Sequence, residues 1–494
     1  MPTSPATERP NLIYVFADQL RRDALGCTGM SNAATPNIDR FATQAMNFPQ
    51  FVSNTPVCTA YRASLMTGKH TSSHGMVINE LRMHPNQSCL GHLLTRAGYE
   101  TSYIGKWHLY ANHLGNHFDP ANSFVPPGPH RLGFDGEWKA YNFHHENFSP
   151  SAYYHEDTPE KKFYPEGVYE ATAQTDFAID TIGRMSRSGA PFALVLSYGP
   201  PHDPWGPDNV PERFWRMFEN QRFPDPPNYA EENDPYADSW ARLSTAEREE
   251  LEEWRRGYHA QVASLDAEFG RLMAAVEAAG IADDTIVVFT SDHGEMFGAH
   301  GRRAKLIFYE EAVNVPFFIR WPKNIPAAGF SNAAIGSVDV LPTLGGLMGF
   351  DVPDDVEGND LSPQVKGAGG GPEISLMMGC GATAAWEDGH EWRAARDARF
   401  TLARYRVDGR TLLFDRDSDP WQMRDVSQDP AYRQQRDRLE RWMAAEMARI
   451  GDGFRASSYY ETHWTDDDRC ILRSETMEFG PAVPPGTAVL QAGE

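Results

Sequence analysis

The chain reads as an α/β protein: a large, mostly parallel or mixed sheet sandwiched by helices, followed by a smaller C-terminal α+β domain. Two observations predict it. Four apolar, strand-like runs lie far apart in the chain and each ends in polar residues, and the pattern changes after a glycine-rich tract at Gly367 to Gly371. A length of 494 residues has room for more than one core. We therefore divide the chain into a catalytic domain at residues 1–371 and a smaller α+β subdomain with tail at 372–494.

Asn11 to Ala17 runs into Asp18-Gln19, Glu100 to Gly105 into Lys106-Trp107-His108, Phe192 to Tyr198 into Gly199-Pro200-Pro201-His202, and Thr285 to Thr290 into Ser291-Asp292-His293-Gly294. Continuous apolar runs of this length suit strands covered on both faces, as in parallel sheets. Ligands of such sheets bind beyond the carboxyl ends of the strands, so the four polar clusters are expected on one edge. Between them, Tyr258, Val262, Leu265, Phe269, Leu272 and Val276 recur at helical steps, and Gly280 stands where a C-cap belongs. After the glycine tract, Trp392 to Tyr405 and Arg410 to Phe414 read as β segments and Tyr432 to Ile450 as a polar helix.

Two long segments, Tyr110 to Gly167 and Asp203 to Ser244, show little periodicity and are rich in Pro, His and aromatics, among them Trp138, His145, Trp205 and Trp240. Segments of this kind next to strand ends are often lids or pocket walls, so Trp138 and Trp205 are expected at the mouth of a site. The alternative is surface loops pinned by aromatic packing.

A formal net charge of −23 argues against nucleic acid or an anionic membrane as partner, and an anionic substrate needs a locally positive pocket. The five cysteines are odd in number and widely spaced, with no Cys-x-x-Cys pair, which points away from a disulfide framework or zinc-thiolate site and toward a reducing compartment. Met1 to Pro10 has no apolar region, and Leu12 to Ala17 is too short for a signal peptide or a membrane span. A cytoplasmic location is expected, or a periplasmic one if a leader was removed; a homo-oligomer is left open.

Cys58-Thr59-Ala60-Tyr61-Arg62 opens an apparent helix. A thiol four residues before a guanidinium shares its face, and helix N-termini and Arg forks both favour anions, so the segment reads as a nucleophile facing a sulfate or phosphate group. A small core residue is the plain alternative. Cys-based phosphatases place Arg six residues after Cys, whereas position 64 here is Ser. Asp18, Gln19, Asp292 and His293 offer carboxylate, amide and imidazole ligands from two strand ends, which suits Ca²⁺, Mg²⁺ or Mn²⁺. One at a time, such residues are usually caps or turn residues.

From Cys58 through Leu65-Met66-Thr67-Gly68 the chain resembles the signature of the formylglycine-dependent (type I) sulfatases of the alkaline phosphatase superfamily. Gly105-Lys106-Trp107-His108, His202, Lys305, Tyr309-Glu310, Val315-Pro316 and Leu413-Phe414-Asp415 through Asp419-Pro420 match further family segments, so the resemblance runs from about Asn11 to about Val426. It implies an alkaline phosphatase-like fold and hydrolysis of an aryl or carbohydrate sulfate ester. Cys58 would be converted to formylglycine by a formylglycine-generating enzyme. One divalent metal, Ca²⁺ first with Mn²⁺ or Mg²⁺ as alternatives, would be held by Asp18, Gln19, Cys58, Asp292 and His293. Arg62 would hold the aldehyde hydrate, whose hydroxyl attacks sulfur. Lys106, His202 and Lys305 would bind the sulfuryl oxygens, with His202 or Lys305 assisting the leaving oxygen, and His108 would deprotonate the second hydroxyl to expel sulfate. Ala60 replaces the commoner Pro, and Gln19 replaces the common second Asp, as in the related phosphonate monoester hydrolases. A phosphonate monoester or phosphodiester hydrolase is therefore the nearest alternative, and an anion-binding protein with an unmodified Cys58 a distant one.

Overall fold

The computed structural model describes residues 9–30, 32–111, 123–467, 469–473 and 478–480. Among these, ten strands precede the glycine tract: β1 (Asn11–Ala17), β2 (Met46–Asn47), β3 (Glu100–Lys106), β4 (Trp138–Tyr141), β5 (Tyr153–Tyr154), β6 (Lys162–Phe163), β7 (Phe192–Tyr198), β8 (Thr285–Ser291), β9 (Phe317–Arg320) and β10 (Gly329–Phe330). Eight form one sheet in the order β10-β2-β9-β8-β1-β7-β3-β4, and β5 pairs with β6 apart from it. β1 runs parallel to both β7 and β8, β3 runs parallel to β7 and β4, and β9 is antiparallel to β8 and β2, so the sheet is mixed.

Both faces of the sheet are covered, which is why its central strands can be apolar throughout. Leu12, Tyr14 and Phe16 of β1 point into one core with residues of the Cys58–Thr67, Leu90–Arg96 and Val340–Met348 helices. Ile13, Val15 and Ala17 point into the other, with residues of the Glu170–Met185 and Thr245–Ala278 helices. This is the two-residue alternation of a strand, with apolar side chains on both sides. The Thr245–Ala278 helix is 34 residues long and opens with a capping box between Ser244 and Glu247. It extends well before Tyr258, where the apolar spacing begins, because its first turns are polar and rest on the cap; Gly280 beyond its end has φ +71°.

Register brings the site together. Ala17 lies opposite Tyr198 and Ser291, and Gly105 opposite Ser197, so the residues after β1, β3, β7 and β8 emerge level at one edge. Gly105 has φ +100°, and a Cβ there would stand 2.0 Å from the Ser197 carbonyl oxygen. Only glycine lets β3 pass that close just before Lys106.

Beyond the tract, β11 (Ser375–Gly379), β12 (Trp392–Arg396), β13 (Phe400–Tyr405) and β14 (Thr411–Asp415) form an antiparallel sheet in chain order, against which the Arg433–Arg449 helix packs. The run Trp392 to Tyr405 is thus two strands. Arg393, in β12, makes an ion pair with Asp452 in which both side chains are fully buried.

The segment from Tyr110, whose residues 112–122 lie outside the described ones, is more ordered than its sequence suggests, since it supplies β4 to the main sheet and the β5–β6 hairpin. Trp138 begins β4 and is buried, with ring centroids 5.5 Å from Tyr103 and 5.1 Å from Trp107. Trp205 is buried against Trp254, Tyr258 and Phe297, its indole N–H donating to the Pro201 carbonyl at 2.8 Å. Neither lines a mouth: both satisfy the packing alternative. No described helix is long and apolar enough to cross a membrane.

Candidate active site

Cys58 is the first residue of its helix, entered from an extended Val57 and closed at Gly68 in the left-handed conformation. All ten residues of the helix are buried, so polar groups on it must find partners inside the protein. Cys58 Sγ lies 3.2 Å from His293 Nε2, 3.1 Å from Lys305 Nζ, 3.7 Å from Asp18 Oδ1 and 4.0 Å from Lys106 Nζ. One turn on, Arg62 donates through Nη1 to the Lys106 carbonyl (2.5 Å) and Ser197 Oγ (2.7 Å), and through Nη2 to Asp18 Oδ2 (3.0 Å) and Asp292 Oδ2 (3.4 Å). Its guanidinium also stands 4.8 Å over the Phe16 ring. Arg62 thereby ties the ends of four strands, β1, β3, β7 and β8, to one helix.

On one side of Cys58 lie acceptors. Donor atoms of Asp18, Cys58, Asp292 and His293 all fall within 4.8 Å of one another. His293 Nδ1 donates to the Gly294 carbonyl at 2.9 Å, which turns the Nε2 lone pair inward, and burial pushes its pKa down to about 4. Gln19 is anchored through Nε2 to Glu295 Oε2 at 2.5 Å, while its buried Oε1 has no hydrogen-bond partner in the protein. Two carboxylates, an amide oxygen and a neutral imidazole form a donor set that fits a divalent cation. Burial raises the Asp18 pKa, but Lys106, His202, Lys305 and Arg62 outweigh it and hold this carboxyl well below the usual carboxylate range. Burial, then the Asp18 charge, push Asp292 upward, as two carboxylates at close quarters do.

On the other side lie cations. Lys106 Nζ donates to Asp18 Oδ2 at 2.6 Å, and Lys305 Nζ stands 3.2 Å from His202 Nε2. Burial works against the charge on Lys305, but Cys58, Asp18 and Asp292 raise its pKa overall; burial drives His202 well down. His108 is buried, with Nε2 3.8 Å from Glu80 Oε1 and its ring 4.6 Å from that of Phe143, which also carries Lys106 Nζ at 4.7 Å. All the site residues read from the sequence thus gather around one strand-end edge.

Several neighbours are not legible in the chain. Glu295 orients Gln19, Ser197 holds Arg62, and Phe143 bridges Lys106 and His108. Asp203 faces two imidazoles, with Oδ1 3.2 Å from His202 Nδ1 and Oδ2 3.6 Å from His145 Nδ1. Only Asp203 and Glu295 carry a signal, each lying within three residues of a predicted site residue.

The comparisons agree with this geometry. The family model described as Sulfatase matches residues 10–350, and that described as N-sulphoglucosamine sulphohydrolase, C-terminal, matches residues 298–449. An ulvan-active sulfatase of Formosa agariphila is 34% identical over 458 residues, spanning 92% of this chain and 84% of that protein. An N-acetylglucosamine-6-O-sulfatase of Bacteroides thetaiotaomicron is 28% identical over 493 residues, spanning 87% of this chain and 83% of that protein. A solved Bacteroides fragilis structure assigned to the sulfatases superposes with a TM-score of 0.78 at 28% identity, covering 93% of this chain and 99% of that one. With a family model spanning most of the chain and relatives matched along nearly all of it, the protein belongs to the sulfatases, a family of sulfuric ester hydrolases.

Proposed function

We propose that the protein hydrolyses sulfate monoesters of saccharides, using a formylglycine made from Cys58 by a formylglycine-generating enzyme. The observation that carries this reading is the position of Cys58 Sγ between His293 Nε2 at 3.2 Å and Lys305 Nζ at 3.1 Å, at the seam of the acceptor and cation halves. The saccharide half is supported by the relative named for N-acetylglucosamine-6-O-sulfate chemistry.

Formylglycine at position 58 supplies, as its hydrate, an oxygen nucleophile for sulfur. A divalent cation, Ca²⁺ being the first candidate, would be held by Asp18, Gln19, Asp292, His293 and the residue at 58, and would supply positive charge that acidifies that hydroxyl and draws the sulfuryl group. Lys106 Nζ and Lys305 Nζ bind sulfuryl oxygens, and their charge counts for more here because both side chains are buried. Lys305 Nζ delivers a proton to the leaving oxygen, directly or through His202 Nε2 at 3.2 Å. Arg62 keeps the Asp18 and Asp292 carboxylates apart and aimed. His108 takes the proton whose loss from position 58 releases sulfate.

Mass spectrometry of the Cys58 peptide, with steady-state rates on sulfate and phosphonate esters, tests the reading. An aldehyde at position 58 and a preference for sulfates are expected. Gln19 favours a second reading, phosphonate monoester hydrolysis, because Asp18-Gln19 resembles the Asp-Gln pair of the phosphonate monoester hydrolases. Preference for phosphonate monoesters by more than about tenfold, or 1.4 kcal/mol, would establish that reading instead.

A further inference from the structure

We propose that Trp240 is the platform of a saccharide subsite at the mouth of this pocket, stacking on the pyranose ring that bears the sulfate. The inference rests on the sulfatase reading and adds the part of the substrate beyond sulfur. A cavity of about 60 Å³ opens at the strand-end edge, lined by Gln19, His202 and Lys305 of the reactive group and also by Asn79, Trp240 and Thr383. Trp240 is 48% exposed, although the two tryptophans expected at the mouth are buried.

Its backbone is held on both sides. Asp238 is 2% exposed; its Oδ1 accepts from the Ala241 N–H at 2.9 Å, and its Oδ2 accepts from the Thr383 N–H at 2.5 Å and the Thr383 hydroxyl at 2.8 Å. Ala241 is fully buried, and its carbonyl accepts from the Arg303 N–H at 2.8 Å, two residues before Lys305. A turn anchored to the segment carrying Lys305 thus holds about half of the Trp240 surface in water beside the pocket.

The polar lining suits a sugar. Asn79 Oδ1 is engaged by the Thr59 N–H (3.3 Å) and hydroxyl (3.2 Å), which leaves its Nδ2 group as the donor, and the Thr383 hydroxyl, spent as a donor on Asp238, retains its acceptor lone pairs. One aromatic face with a donor and an acceptor beside it matches a pyranose, whose axial C–H groups form an apolar face rimmed by hydroxyls.

The test compares wild type, Trp240→Ala and Trp240→Phe on a panel of monosaccharide 2-, 4- and 6-sulfates and on ethyl sulfate, which has no ring. For the best monosaccharide, the ratio of its kcat/KM to that of ethyl sulfate should fall at least tenfold in W240A and recover partly in W240F. Calorimetry on unreacted Cys58→Ala protein supplies the second reading: W240A should weaken that monosaccharide sulfate at least tenfold more than inorganic sulfate. An unchanged ratio, equal losses for both probes, or a wild type preferring ethyl sulfate to every sugar sulfate would overturn the subsite. A wild type that turns over phosphonates but no sulfate overturns the sulfatase reading alone, and calorimetry then decides the subsite by itself.

Discussion

Lys106 Nζ lies 2.6 Å from Asp18 Oδ2, with both side chains sealed from solvent, so a cation assigned to the substrate is ion-paired to a carboxylate assigned to the metal. The two halves of the site are electrostatically one unit. Lys106→Met keeps the aliphatic stem but leaves Asp18 with less compensation. It should cost about 3 kcal/mol of stability, since a buried pair that loses one partner strands the other. It should also lower kcat/KM by about 10²-fold or more through loss of a preorganised charge. Urea denaturation and steady-state kinetics read the two effects, and inhibition by free sulfate should weaken in parallel; a variant with wild-type sulfate inhibition would remove Lys106 from the anion site.

Cys58→Ala should abolish turnover, by about 10³-fold or more, if position 58 carries the nucleophile. Stability should hardly move, because a small side chain at the first position of a helix gives up no backbone hydrogen bond. Full activity in protein whose Cys58 peptide retains its thiol mass would dismiss the proposed nucleophile.

Metal removal gives a readout independent of catalysis. If Asp18, Gln19, Asp292 and His293 bind a divalent cation, saturating Ca²⁺ should raise the unfolding free energy of chelated protein by about 2.7 kcal/mol at a hundred times the dissociation constant. Asp292→Ala should lose both that shift and the metal in elemental analysis, whereas Asp18→Asn, which keeps the shape, should show a smaller shift. Identical melting with and without cation would contradict the assignment.

Glu170 offers a pH test away from the metal ligands. Burial pushes its pKa up to about 8 against the opposing pull of hydrogen bonds from Tyr141 (2.7 Å) and Gln174 (2.7 Å). The folded protein therefore holds a proton that the unfolded chain releases near 4.5. The resulting stability is complete below about pH 4.5 and is lost as pH rises to about 8, at up to about 1.4 kcal/mol per unit. Glu170→Gln retains the acceptor for Tyr141 and removes the titration, so its stability relative to wild type should increase from pH 5.5 to 8.5. Parallel denaturation curves for the two proteins across that range would show Glu170 to be ionised throughout.

Asp18 and Asp292 are legible in the chain because each closely follows a mainly apolar run, Lys106 and His202 because they end or closely follow strand-like runs, and parallel register puts such ends level. Arg62 is legible from its spacing to Cys58. Trp138 misleads because β4 has only four residues and follows a Pro- and Gly-containing stretch, so its burial comes from pairing with β3 rather than from local pattern. The same holds for Trp205, whose partners Trp254, Tyr258 and Phe297 are distant in sequence. Glu295 and Asp203 have roles set by where a side chain points after a strand has ended, and no periodicity encodes that direction.

Thr383 belongs to the chain after β11, yet Asp238 closes on it and the Asn79 N–H donates to its carbonyl at 2.8 Å. The groups assigned to the anion are carried by strand ends, by the helix of Cys58 and by the segment of Lys305, whereas this clasp is carried by a late, short connection. Asn79 spans the two, since its Oδ1 accepts from the Thr59 N–H and hydroxyl one residue along that helix from Cys58. A substitution at Thr383 is therefore felt on both sides of Asn79, so that the rim of the pocket and the first turn of the Cys58 helix are inherited as one mechanical piece.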